Sequence, residues 1–258
     1  MKQCNYIIVG DDYHMFSNGV SVVTATEFYE MLSQPNLHRL EGSTILLGQG
    51  ISTNVRRNLL KHLDAHNVTD IVTSRVPAAC DLTHKITEDN ALISNPRVQS
   101  KLHHEYDLII NDKIDRLSDH VTGLHIGAMP LMEAVRQATI CILELAYITD
   151  KLKFGLVLNS YRSDFVGYLF PVGATLNVTI NEVDMSSKTK FNVVVNTDVM
   201  QCGSKVAAIG LDVTLIIKSK LDDIEAKRAK RLLNKLLVEN LQKAPPKQTA
   251  TLPGNAEA

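Results

Sequence analysis

The sequence predicts an α+β fold: a long central helix wrapped by an antiparallel sheet, preceded by a small N-terminal α/β unit. Three observations predict it. Residues 129–147 are apolar round every face, the mark of a helix enclosed by the rest of a soluble fold. Long alternating stretches follow. In 205–218, Ile209, Leu211, Val213, Leu215 and Ile217 alternate with Gly210, Asp212, Thr214 and Ile216, the period of a half-buried antiparallel strand. Ahead of both, residues 5–74 read β-α-β-α-β, an order that favours a small parallel sheet.

Taken in order, Tyr6 to Val9 is a short apolar strand, and Thr24-Ala-Thr-Glu27 reads as a capping box opening a helix to about Leu32. Thr44 to Leu47 is a second strand. Ser52 suits the cap of a helix from Thr53 to Ala65, with Val55, Leu59, Leu60 and Leu63 at helical spacing, before a third strand near Asp70 to Thr73. The turn Gly48-Gln49-Gly50 stands where parallel sheets place ligands. It lacks the spacing of a phosphate loop, so a plain turn and a ligand site both stand open.

Residues 76–95, with Pro77 and mixed polar residues, read as a linker that becomes the first strand of the antiparallel sheet. His103, His104 and Glu105 read as exposed residues before a strand. After the core helix come strand candidates at 154–159, 165–170, 175–183, 190–196 and 205–218. From Leu221 to Leu241 the chain turns helical, with leucines on one side and Lys227, Arg228, Lys230, Arg231 and Lys235 elsewhere. That pattern suits a helix packed on its own body or on a partner subunit, or one whose basic face docks an acidic carrier protein. Residues 244–258, rich in Pro, Ala and small polar residues, read as a disordered tail. The expected organisation is thus 1–75, 76–220, 221–243 and the tail.

Composition excludes several function classes. A net charge of −1 over 258 residues, with 45% apolar and 21% charged, gives no basic excess for nucleic acid. No uncharged apolar run approaches the ~18–20 residues that span a bilayer, and no signal peptide is visible. The expected location is cytoplasmic. Cys4, Cys80, Cys141 and Cys202 form no C-x-x-C pair, and His62 with His66 at i, i+4 lacks a third ligand, so no metal site is predicted.

The core helix carries one charged set. Glu133, Arg136 and Gln137 stand at i, i+3 and i+4, neighbours on one face, where a lone buried charge would cost several kcal/mol. They read either as a structural pair that orients the helix or as a polar site cut into an apolar interior. His125 precedes the helix, Gly127 leaves room for close approach, and Pro130 fits the first turn. Backbone N–H groups near Gly127 and Ala128, at the positive end of the helix dipole, would suit a thioester or ketone oxygen.

At these residues the chain resembles the A-factor biosynthesis hotdog family. His125-Ile-Gly-Ala-Met-Pro-Leu-Met-Glu133-Ala-Val-Arg136-Gln137-Ala is similar to its helix signature. Thr83-His84-Lys85 followed by Asn90-Ala-Leu-Ile-Ser94 is similar to its second motif, a His-Lys or His-Arg pair leading into a short strand. Where the family has Pro-Gly this chain has Gly127-Ala128, and it carries one copy of the motif rather than two. The resemblance implies a hotdog fold and an acyl-thioester substrate. It implies an acyltransferase moving a β-ketoacyl group from acyl carrier protein to a small hydroxylated acceptor, as in γ-butyrolactone biosynthesis. Glu133, His125 and Arg136 are then the catalytic candidates, and Gly127, Ala128, Gln137, His84 and Lys85 the substrate-binding ones. No separate cofactor is implied, because the acyl group rides on the phosphopantetheine of acyl carrier protein or on coenzyme A. A single hotdog implies a homodimer. A hotdog dehydratase or thioesterase, and a non-catalytic acyl or lactone sensor, are the competing functions.

Overall fold

The computed structural model describes residues 5–33, 40, 43–65, 68, 70–72, 76–112, 114, 122–147, 154–187 and 189–243. The expected tail and His66 lie outside them. The N-terminal unit is a four-stranded parallel sheet of β1 (Asn5–Val9), β2 (Val22–Thr24), β3 (Thr44–Leu47) and β4 (Asp70–Val72), in the order β2-β1-β3-β4. Helices α1 (Ala25–Leu32) and α2 (Thr53–Ala65) connect them. The capping box forms: Thr24 N–H donates to Glu27 at 2.7 Å and Glu27 N–H donates to Thr24 Oγ1 at 3.2 Å. Strand β2 is absent from the sequence expectation because three residues are too few to show a period.

The second unit is a six-stranded antiparallel sheet in the order β5-β6-β8-β9-β10-β7. Its strands are β5 (Arg97–Ser100), β6 (His103–Asp107), β7 (Phe154–Phe165), β8 (Thr175–Ser187), β9 (Lys190–Gln201) and β10 (Ser204–Ile217). Helix α4 (Ala128–Tyr147) packs across β6, β8 and β10. Leu131, Ala134, Val135, Ala138, Cys141 and Ile142 join Val178, Val193, Val195, Leu211 and Val213 in one buried core. Burial pushes the Cys141 thiol up to about 11, which leaves it a small inert hydrophobe.

Three expectations are corrected here. Residues 76–95 form the short helix α3 (Cys80–Thr83) and a single-turn helix rather than a strand, and the antiparallel sheet begins at β5. His104 is buried within β6, on the inward face of an alternating strand. Residues 166–170, expected within a strand 165–170, lie outside any strand, and the expected strand 154–159 instead runs on to Phe165 as β7. It stays paired with β10 through a bulge at Asp212/Val213, and Asn159 donates to Asp212 and Thr214 on the outer face, so polar residues run through the strand without ending it.

The turn Gly48-Gln49-Gly50 joins the two units. Gln49 is fully buried; its Nε2 donates to Leu108 O at 2.9 Å, and its Oε1 accepts from Ile110 N–H at 2.7 Å. Gln49 N–H donates to Pro171 O, and Gly50 N–H to Ile110 O. Gly50 has φ +78°, and a Cβ at Gly10 would fall 1.8 Å from Gly50 O. Of the two readings left open for this turn, the structure fills the space with protein.

Helix α5 (Lys218–Lys243) meets the body at its first turn, where Lys220 Nζ donates to Thr189 Oγ1 at 3.0 Å. Leu221 is buried against Gly155, where a Cβ would sit 2.3 Å from Leu221 Cδ2. From Asp222 to Val238 every residue is exposed. Of the ways this helix was expected to be covered, packing on the described part of its own body fails from Asp222 to Val238.

Candidate functional site

Two groups of residues gather at the N-terminal half of α4, on different faces. The first is a cavity of about 210 Å³ lined by His125, Gly127, Ala128, Leu131, Phe165 and Tyr168, among others. His125 is held by Thr122, whose Oγ1 lies 3.0 Å from Nδ1, and its ring lies 5.0 Å from that of Tyr168. Ile126 N–H donates to Leu169 O at 2.7 Å, which ties the segment before the helix to the segment after β7. Gly127 and Ala128 are exposed, and a Cβ at Gly127 would meet nothing within 4 Å. The first N–H groups of an α-helix have no intrahelical acceptor, and here they stand beside an apolar hollow.

The second group is ionic. Arg136 grips Glu133 with two parallel bonds, Nε to Oε2 at 2.7 Å and Nη2 to Oε1 at 2.8 Å. Lys85 Nζ stands 2.5 Å from Glu133 Oε1, and Gln137 Nε2 donates to that oxygen at 3.0 Å. Burial alone would raise the Glu133 carboxyl. The bonds from Arg136, Lys85 and Gln137 outweigh it and hold the carboxyl at about 2. A carboxylate held that low is a weak base at neutral pH. The ionised pair also raises Arg136 further. Two cations against one carboxylate leave the cluster net positive.

Gln137, expected to bind substrate, is fully buried and committed to the chain. Its Oε1 accepts from Leu92 N–H at 2.8 Å, and its Nε2 also donates to Asn90 O at 2.9 Å. It pins the segment after α3 to the central helix. His84 and Lys85 diverge. His84 takes a left-handed backbone, φ 53°, as the C-cap of α3, and its Nε2 lies 2.5 Å from Glu144 Oε1. Lys85 runs to Glu133, about three turns nearer the N-terminus of α4.

The structure does not bring His125 and Glu133 into one constellation within the chain. Neither Glu133 nor Arg136 lines the cavity. A helix turns about 100° per residue, so Glu133 lies about 200° round from Leu131, which does line it. The pairing expected from the sequence motif therefore resolves into an apolar half and an ionic half. Strand β7 touches both. Phe165 lines the cavity, while Tyr161 donates to Met132 O at 2.7 Å, and burial, then the nearby Glu133 charge, raises its phenol. Tyr161, Tyr168 and Glu144 are site residues that the sequence reading missed. Each meets its partner across a long loop or strand, which leaves no local periodicity to find.

No family model matches the chain, and no curated protein matches it. Solved structures similar to part of it include the conserved protein PA5202 from Pseudomonas aeruginosa, 11% identical, TM-score 0.41, covering 54% of this chain and 100% of that one. The mutant thioesterase PA1618 from Pseudomonas aeruginosa is 13% identical, TM-score 0.40, with 56% and 97% covered. AziG from S. sahachiroi is 12% identical, TM-score 0.36, with 48% and 90% covered.

Proposed function

We propose that this chain is an acyl-thioester enzyme, an acyltransferase that passes a β-ketoacyl group from a phosphopantetheine thiol to a small hydroxylated acceptor. The observation that carries the reading is the apolar cavity at the N-terminus of α4 with His125 on its wall. At about 210 Å³ it falls below the ~300–1,000 Å³ of drug-sized sites, which suits a thioester head and a short acyl portion. His125 takes the proton of the acceptor hydroxyl, whose oxygen attacks the thioester carbonyl. The helix N-terminus at Gly127 and Ala128 stabilises the oxyanion, and the thiolate leaves with the proton returned by His125.

Lys85 and Arg136 supply positive charge for a phosphate on the carrier arm or on the acceptor. Glu133 holds those two cations in place, and its low carboxyl favours that duty over proton abstraction. The working unit in this reading is a homodimer. Among the described strands β7, 12 residues long, is an edge of the sheet, and such edges attract another strand. Two-fold pairing of β7 about a point near Ser163 would set Phe165 of one protomer opposite the partner's Tyr161, which brings an apolar half-site to an ionic one.

A thioesterase is the second reading, favoured by the exposure of Gly127 and Ala128, which admits water to the same carbonyl. Incubation with acyl carrier protein and coenzyme A thioesters of graded length, with and without hydroxylated acceptors, followed by product mass, tests both. An acyl ester of the acceptor supports transfer. Free acid alone, whatever the acceptor, replaces transfer with hydrolysis. Retention of the thioester unchanged makes the chain a binding protein.

A further inference from the structure

Helix α5 presents a surface that no described residue covers. Leu232, Leu233, Leu236 and Leu237 are 45–61% exposed, and successive turns place them within one sector about 140° wide. Between Ala226 and Val238 the chain has Lys227, Arg228, Lys230, Arg231 and Lys235 and no carboxylate. These cations occupy the rest of the circumference, with Lys230 bordering one edge of the leucine sector and Arg228 the other. The acidic residues Asp222, Asp223 and Glu225 cluster at the root, beside the body. The exposed part, 222–238, is about 25 Å long, and isolated helices of that length are marginal in water.

We propose that α5 docks flat on an anionic phospholipid surface, with the leucine sector in the acyl boundary and the flanking cations at the headgroups. Charge decides among occupants. A second copy laid in parallel on this seam would set Arg228 and Lys230 of both copies alongside the leucines, a like-charge arrangement that disfavours association. An acidic protein would neutralise the basic face and leave the leucines on the opposite side in water. An anionic bilayer satisfies both faces at once, because Lys and Arg stems run along the apolar boundary while their heads reach the phosphates. The docking leaves the cavity and the ionic cluster untouched, so it stands apart from the acyl-thioester reading.

Co-flotation of the full chain with phosphatidylcholine vesicles containing roughly one-third phosphatidylserine tests it. Binding is expected to the mixed vesicles and to weaken as salt is raised. Two paired variants, Lys227→Glu with Arg231→Glu and Leu232→Ser with Leu236→Ser, should each reduce binding at least about tenfold. Thermal melting of each should match the parent, since all four residues are exposed. Equal binding to pure phosphatidylcholine, no binding to either vesicle, or binding that survives both variants overturns the proposal. So does a leucine variant that halves the sedimenting mass in a chain that ignores vesicles, which gives the surface to a second copy, and so does retention only on an immobilised acidic protein.

Discussion

Lys85 Nζ meets Glu133 Oε1 at 2.5 Å, while the neighbouring His84 turns away to Glu144 on the same helix. One left-handed residue, His84 with φ 53°, divides the two side chains between positions about three turns apart on α4. Lys85 thereby joins Arg136 on a single carboxylate, and the central helix carries a net positive group on one side and an apolar hollow on the other.

Glu133→Gln keeps the shape and removes the charge that holds Lys85 and Arg136. Both cations lose their counter-ion in a partly buried setting, at a cost of about 2–4 kcal/mol, read as a lower melting temperature. Turnover should fall with it, because the cations lose their aim. Unchanged melting would show that the carboxylate does not organise the cluster.

The Glu133 carboxyl lies at about 2 in the folded chain, against an ordinary 4.5. A depressed folded pKa stabilises above the unfolded value, and the contribution is lost as pH falls from about 4.5 toward 2. The parent should therefore lose melting temperature through that window more steeply than Glu133→Gln. Parallel curves for the two proteins would remove Glu133 from the acid transition.

His125→Ala should abolish most of the turnover, by about 100-fold or more, with little change in melting. The ring is only partly buried and bonds a single neighbouring hydroxyl. A large drop in melting temperature with activity per folded molecule retained would make His125 a structural residue.

Gln49→Leu fills the same space without its amide. Ile110 N–H then loses its acceptor and Leu108 O loses a donor, a cost of about 2–4 kcal/mol for buried groups left unpaired. Urea unfolding should shift to lower midpoint, and a transition unmoved by the change would remove Gln49 from the junction.

Light scattering should return twice the chain mass if the β7 edge pairs as proposed. A monomer at micromolar concentration would leave the two half-sites apart and defeat the shared-site mechanism.

Much of the fold was legible because it is written in local periods. Residues 129–147, apolar on every face, became α4, and the alternation at 205–218 became β10. The capping box at Thr24 and Glu27 is a four-residue signal and forms as such. The Glu133–Arg136 bond was equally legible, since i, i+3 spacing on a helix brings the two together by geometry alone. The extension of the expected strand 154–159 to Phe165 was not, because polar residues there bond across to β10 rather than ending the strand.

The sequence by itself determined the helices at 25–32, 53–65, 129–147 and 221–241, the alternation of the long strands after the core helix, and that Glu133, Arg136 and Gln137 share a face. Only the tertiary structure decided what those residues meet. It gave Lys85 to Glu133 and His84 to Glu144, spent Gln137 on Asn90 and Leu92, set His125 against Tyr168 and the Glu133 cluster on another face, and left the leucines of α5 bare. The physical reason is the range of the interaction. Periodicity reports how a chain coils upon its neighbours a few residues away, whereas these contacts close over tens of residues, where only the path of the backbone through space selects the partner.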